Sequence, residues 1–288
     1  MHMLTLFSPA KINLFLRILR KRSDGFHELA SLFQTVDLCD TLHFSLNSKD
    51  ELICSDPSIP CDSSNLVLKA SALFRRKTGI GVGLKVILEK RIPAQAGLGG
   101  GSSNAATTLW ALNALCNRPV ALPQLMEWGS ELGSDVPFFL SQGTAYCTGR
   151  GEHVECLAPL PAPTLRVFLA KPKEGLSTPA VYQNLKLAQL VSQGQEQDQD
   201  PKILLHGFLK GKPTYINDLE APAFKVMPSL ADFKAKLVAS GFEHVLLSGS
   251  GSSFFCLGNG ALSPAEGGVT ASVHFLNRPS DVWYSASV

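Results

Sequence analysis

Four glycines fall within five positions, Gly97, Gly99, Gly100 and Gly101, inside the stretch Pro93-Ala94-Gln95-Ala96-Gly97-Leu98-Gly99-Gly100-Gly101-Ser102-Ser103. A backbone without Cβ atoms can turn through positive φ and bring its N–H groups against an anion. Ala105, Leu109, Leu112 and Leu115 follow at helical spacing, so a helix is predicted directly after the loop. Its first turn would add unpaired N–H groups and the positive end of a dipole. Ser102 and Ser103 bring hydroxyls there, as caps or as phosphate or metal ligands. A flexible loop with a serine cap is the plainer alternative, but so many glycines lose chain entropy that a ligand or packing must offset. The Lys-Ser/Thr ending of a P-loop is missing, and so is the downstream acid of a dinucleotide fingerprint,. Phosphate held by backbone and helix end is the chemistry indicated.

Three further places carry chemistry only in combination. Lys11, in Ser8-Pro9-Ala10-Lys11-Ile12-Asn13, reads by itself as a solvated strand lysine. His27 follows Phe26, and alone it is a turn histidine beside a partly buried aromatic. Asp135, in Gly133-Ser134-Asp135-Val136-Pro137, makes a good helix N-cap with proline in the first turn,.

The elements that must position these residues follow from periodicity. Ile12, Leu14, Leu16 and Ile18 alternate with Lys11, Asn13, Phe15 and Arg17. This predicts a strand over 4–19 with Lys11 and Asn13 on one face. A turn at Ser23-Asp24-Gly25 precedes short strands at 32–36 and 41–44,. Asn65 caps a helix with the stripe Leu66, Ala70, Leu73 and Phe74, stopped by Gly79,. A strand through Val82, Leu84, Val86 and Leu88 leads to the glycine loop, and a second helix runs from 122 to 132 and ends at Gly133. Strands at 144–147 and 154–157 come before Pro159, Pro161 and Pro163, which mark a boundary between domains 1–158 and 159–288,.

Beyond it, 165–170 is a strand, and Gln193–Asp200 is polar without period, a mobile surface loop,. Ser229 with Asp232 forms a capping box for a helix using Leu230, Phe233 and Leu237, closed by Gly241,. Strands at 245–247 and 254–257 flank the Ser/Gly loop Ser248–Ser253. Strands and helices mix without a βαβ repeat, so the class is α+β.

Composition narrows the partners. The chain has 288 residues, 45% of them hydrophobic and 17% charged, which suits a sizeable core,. A net charge of +2 gives neither a nucleic-acid face nor a polybasic membrane patch,. Seven scattered cysteines without CxxC spacing read as reduced thiols, although Cys54 and Cys61 are close enough in sequence to bridge,. The start lacks a secretory pattern and no apolar run is long enough to span a bilayer,. A cytoplasmic protein is expected, as a monomer or weak homodimer.

Taken together, SPAKINLFLRI with SDGFHELASLFQ, IPAQAGLGGGSSNAA, ELGSDVPFFL and LSGSGSSFF resemble the GHMP kinases, the family of galactokinase, homoserine kinase and mevalonate kinase. The first segment and its aromatic-histidine turn resemble the branch whose substrate is cytidine diphosphate-linked methylerythritol. The resemblance implies a two-domain fold, a ribosomal-protein-S5-domain-2-like ATP-binding domain and a ferredoxin-like α+β domain, with the active site in the cleft between them. It implies ATP as phosphoryl donor with Mg²⁺, whose ligands stay open. By that resemblance Asp135 is the catalytic base and Lys11 polarises the acceptor hydroxyl, the 2-hydroxyl of the erythritol. Pro93 to Ser103 wraps the triphosphate, with Asn65 also on the ATP side. Phe26 stacks on the cytosine, His27 reads its edge, Tyr182 closes its other face, and Asn13 and Thr178 contact the substrate. Phe26 stands where tyrosine is common, so the ring can still stack but brings no phenol hydroxyl. The Ser248–Ser253 loop is either a plain hairpin turn or a phosphate contact. A mevalonate-type or homoserine kinase would have no base for Phe26 and His27 to hold. A non-catalytic ATP-binding regulator would have no need of both Lys11 and Asp135.

Overall fold

The computed structural model describes residues 3–161, 166–187, 200–261 and 269–284. Its first sheet is built on one long hairpin, β1 (Leu4–Lys21) and β2 (His27–Asn47), which pair antiparallel from Leu4↔Phe44 to Lys21↔His27. The predicted turn closes it, with the Arg22 N–H donating to the Phe26 carbonyl at 2.8 Å and Gly25 at φ 86°. The short strands expected at 32–36 and 41–44 are parts of β2. Asp37 and Asp40 between them lower strand propensity locally, and pairing with β1 overrides it,.

Around that hairpin lie β3 (Glu51–Cys54), β4 (Gly83–Glu89), β5 (Thr144–Gly149) and β6 (His153–Cys156), with the order β3-β4-β2-β1 and β5 joining β2 to β6. Helices α1 (Leu66–Thr78), α2 (Gly100–Leu115), α3 (Leu122–Leu132) and α4 (Val136–Leu140) cover one face. Their apolar stripes bury Leu73, Phe74, Leu109 and Leu112 against Leu42, Phe44, Leu84 and Val86. Asn65 caps α1 as expected, accepting from the Val67 N–H at 2.9 Å, and Gly79 ends it at φ 73°.

Strand β1 departs from the simple alternation. Register shifts at Pro9/Ala10, Asn13/Phe15 and Ile18/Arg20 slip its phase, and residues 8–18 are buried on both faces. Lys11 is only 4% exposed. It is therefore a buried cation rather than a solvated strand lysine.

After the prolines the chain builds a second sheet from β7 (Val167–Lys171), β9 (His244–Leu247), β10 (Phe254–Leu257) and β11 (Val269–Val273), in the order β11-β7-β10-β9. Numbered within the sheet this is 4-1-3-2, all antiparallel, the strand order of a ferredoxin-like unit,. Between β7 and β9 come α5 (Thr178–Gln183), α6 (Pro201–Leu209), β8 (Ile216–Asn217), α7 (Glu220–Val226) and α8 (Ser229–Ala239).

Two segments cross back. β8 pairs parallel with β1 at Phe15 and Leu16. The C-terminal stretch lays Trp283 and Tyr284 into the first core, where the Trp283 Nε1–H donates to the Phe7 carbonyl at 2.8 Å.

The capping box at Ser229 does not form. Pro228 already has helical φ and ψ, so the helix starts one residue early and Ser229 lies inside it,. Residues 193–199 of the polar segment lie outside the described residues. Asp200 is no part of a mobile loop, for it caps α6 by accepting from the Lys202 N–H at 2.8 Å. All seven cysteines are free. Among the described residues no helix is long and apolar enough to cross a membrane.

Candidate active site

An open cleft of about 790 Å³ lies where the two sheets meet. Lys11, Asn13, Phe26, His27, Asn65, Asp135, Thr178 and Tyr182 all line it, with Pro93 to Ser102. Ser103 does not. Its hydroxyl is buried against Ser8 Oγ at 2.8 Å, and its N–H is spent on the Gly99 carbonyl at 2.9 Å. It tethers α2 to β1 instead of reaching a ligand.

The glycine loop is shaped by what it packs on. Its Gly97 has φ 72°, and a Cβ there would lie 2.1 Å from the Ser248 carbonyl oxygen. The Ser253 N–H donates to the Ala96 carbonyl at 3.1 Å, and Ser248 Oγ–H to the Gly97 carbonyl at 3.2 Å. Leu98 accepts from the Lys11 N–H at 3.0 Å. The loop is thus clamped between β1 and the 248–253 hairpin, which underlies it and also offers Gly249 and Ser250 to the cleft. Gly99 then caps α2 in the left-handed conformation with no side-chain hydrogen bond. The first N–H groups of a 16-residue helix are left without a capping side chain, aimed where an anion can take them,.

The catalytic candidates meet at the other wall. Lys11 Nζ lies 3.7 Å from Asp135 Oδ2 and donates to Asn13 Oδ1 at 2.6 Å. Asn13 in turn donates to Ser31 Oγ at 2.9 Å, so the lysine tip is fixed by a buried chain of polar groups. The expected N-cap geometry at Asp135 is only nominal. Its backbone is at φ −84°, ψ −12°, and its side chain caps nothing in α4. With 29% side-chain exposure the carboxylate faces the cleft, available to a hydroxyl.

Toward the 22–26 turn the cleft becomes aromatic. Phe26 is 54% exposed and has the Arg150 guanidinium over its ring at 5.0 Å. His27 and Tyr182 stack on each other at 5.3 Å, so Tyr182 covers the imidazole in this state rather than an open slot beside Phe26. Burial first, and then the charge of Asp135, push the Tyr182 hydroxyl well above its usual value. Thr178 Oγ1 is 2.7 Å from Ser250 Oγ and ties α5 to the hairpin loop.

Burial first, and Lys21 second, hold His27 below the ordinary imidazole value of 6.5. A depressed value means that the proton binds only at lower pH. The neutral ring therefore prevails at and above that ordinary value,. KM for a ligand read by that ring is expected to be flat above this pH and to rise below it. KM measured from pH 8 to 5 checks this, and a rise centred near pH 7 would contradict it.

Sequence reading passed over Lys90 and Arg150. Lys90 directly follows β4, which feeds the glycine loop, and is fixed by the buried Asp40, which also accepts from the Arg91 and Ile92 N–H groups at 2.8 Å. Arg150 stands between two glycines at the β5–β6 turn, a spacing that could have flagged it. With Lys11 and Lys21 they give the cleft lining four cations against one carboxylate, Asp135. Such a lining attracts polyphosphates and leaves no acidic cage for a divalent ion, and no cluster of metal-ligating side chains occurs among the described residues,.

Comparison with known proteins fits this geometry. Residues 65–143 match the GHMP kinases N terminal domain. The chain is 53% identical over 285 residues to the 4-diphosphocytidyl-2-C-methyl-D-erythritol kinase of Protochlamydia amoebophila, covering 99% of this chain and 94% of that one. A crystal structure of 4-(cytidine 5'-diphospho)-2C-methyl-D-erythritol kinase superposes with TM-score 0.74 and 34% identity, over 94% of this chain and 99% of that one. Homoserine kinase from Cytophaga hutchinsonii shares the fold, with TM-score 0.69 at 21% identity and 96% of both chains covered. Identity of this extent over nearly the whole of both chains shows that the chain belongs to the 4-diphosphocytidyl-2-C-methyl-D-erythritol kinase family of the GHMP kinases.

Proposed function

We propose that the protein transfers the γ-phosphoryl group of ATP to the 2-hydroxyl of 4-diphosphocytidyl-2-C-methyl-D-erythritol, in the non-mevalonate route to isoprenoid precursors. The observation that carries the catalytic assignment is the 3.7 Å approach of Lys11 Nζ to Asp135 Oδ2 beside the glycine loop. Asp135 takes the hydroxyl proton as the oxygen attacks the γ-phosphorus in line. The bond to the bridging oxygen breaks, ADP leaves, and the proton stays on the carboxylate. Lys11 polarises the hydroxyl through its charge.

The N–H groups at the start of α2 and the loop Pro93–Ser102 hold the triphosphate. The Ser102 hydroxyl at the start of α2 would help hold a Mg²⁺ ion bound with the nucleotide, which would supply charge stabilisation to the transferring group. Phe26 stacks on the cytosine, His27 and Tyr182 bound the same end, and Asn13 and Thr178 are substrate-side polar contacts. We divide the chain at 158/159 and place the enzyme in the cytoplasm, where free thiols persist,.

The test is ATP-dependent phosphorylation of the cytidyl substrate, with the product phosphate located by phosphorus NMR. Faster turnover of homoserine or mevalonate phosphates would overturn the assignment. His27→Ala is expected to raise KM for the cytidyl substrate about 5–150-fold while leaving ATP affinity alone, the range for removing one side chain that holds a base. An equal rise in both constants would remove His27 from base reading.

A further inference from the structure

We propose that Asn217 is a positioning residue for the Lys11–Asn13 end of the active site, acting through the hairpin loop 248–253. The inference rests on the role given to Lys11 above. Asn217 is buried at 6% exposure and lies in β8 beside Leu16 of β1. Its side-chain amide donates both protons to the hairpin, to the Leu247 carbonyl at 2.8 Å and the Gly249 carbonyl at 2.7 Å. Its Oδ1 accepts from the Leu219 N–H at 2.9 Å, and Leu219 lines the cleft.

The neighbours in sequence repeat this bridging. Asp218 accepts from Arg17 Nε at 3.0 Å and from the Ile18 N–H at 2.7 Å, both on β1. Glu220 accepts from the Leu247 N–H at 3.0 Å. Residues 217–220 thus join the strand that carries Lys11 to the loop that faces it.

Gly249 is where this reaches the chemistry. At φ 57° its backbone comes so near that a Cβ would stand 3.2 Å from Lys11 Nζ and 3.3 Å from Asn13 Oδ1. The peptide carbonyl held by Asn217 therefore fixes the wall that the lysine tip rests on. The gap from Lys11 to Asp135, 3.7 Å, is longer than a hydrogen bond, so a small shift of that wall changes whether both can reach one hydroxyl,. Only a planar amide supplies two donors and an acceptor in this place. Aspartate would turn a carboxylate onto two carbonyl oxygens.

The test compares Asn217→Ala and Asn217→Asp with the parent enzyme, scaled to folded protein. Expected is a kcat loss of about 10–100-fold, the effect of misplacing a reacting group by about 1 Å. KM for ATP and for the cytidyl substrate should stay within about threefold, which separates positioning from binding. In a Lys11→Met background, Asn217→Ala should cause no further loss. Unchanged kcat with only a lowered Tm, or losses that multiply in the double variant, would overturn the proposal. Should neither variant fold, Gly249→Ala must give the same kcat-specific loss, and an unchanged kcat there overturns it equally. If Lys11→Met alone keeps full activity, the role of Lys11 fails. If that variant is inactive while the Asn217 variants are not, the positioning role alone fails.

Discussion

Asp135→Asn is expected to lower kcat by about 10²–10⁴-fold, the span of a lost general base, with ATP binding nearly unchanged. The substitution keeps the shape of the side chain and removes only its ability to take a proton. It should not unravel α4, because the carboxylate makes no capping hydrogen bond there. Nor does it strand Lys11, whose ammonium still has Asn13 Oδ1 at 2.6 Å. Because the interaction with the hydroxyl proton matures in the transition state, kcat and kcat/KM should fall together. ADP release under saturating substrate, with a separate ATP titration, checks both halves. Unchanged turnover would remove Asp135 from the reaction.

The parts of this site that the sequence reveals are those with a local physical signature. Glycine density located the loop that lines the cleft, and strand alternation put Lys11 and Asn13 on one face, as their 2.6 Å hydrogen bond bears out. What periodicity cannot carry is the covering of the second face. Phe15, on the supposed polar face, is fully buried, because a register shift slips β1 out of phase and the second core closes over it. Lys11 acquires its burial from Phe33, Gly99 and Gly249, all distant from it in the chain, so no window of sequence around it reports it.

Asn217 and Lys90 escape a sequence reading for the same reason. Their partners, Gly249 and Asp40, stand 32 and 50 residues away, and neither side chain stands out in its own neighbourhood. Ser103 errs in the other direction. It shares a motif with Ser102, but a helix turns about 100° per residue, so only one of two neighbouring hydroxyls faces the cleft. The stack of Tyr182 on His27 needs the two domains assembled before it exists.

Gly97→Ala should be the most damaging change in the glycine loop, and for a reason other than phosphate contact. An added Cβ meets the Ser248 carbonyl at 2.1 Å and the Gly251 carbonyl at 2.9 Å, both backbone atoms with no flexible end to swing aside. The φ of 72° adds the penalty of a left-handed conformation,. Together these are worth about 2–4 kcal/mol of native stability. Part of it will be relieved by lifting the loop off the hairpin, which carries the N–H groups away from the triphosphate. We therefore expect Tm to fall and the Kd for ATP to rise by at least about tenfold, since 1.4 kcal/mol is already that factor.

Gly101→Ala is the internal comparison. It lies inside α2 with only Leu66 Cδ1 near, at 3.5 Å, and its φ is not in the left-handed region. Alanine there favours the helix by about 0.5–1 kcal/mol, so Tm should hold or rise. Thermal unfolding and ATP titration of the two variants separate the roles of the two glycines. Equal Tm in both would mean that the hairpin beneath the loop yields freely. The loop's shape would then be set by the bound nucleotide and not by the packing of one domain's turn against the other's.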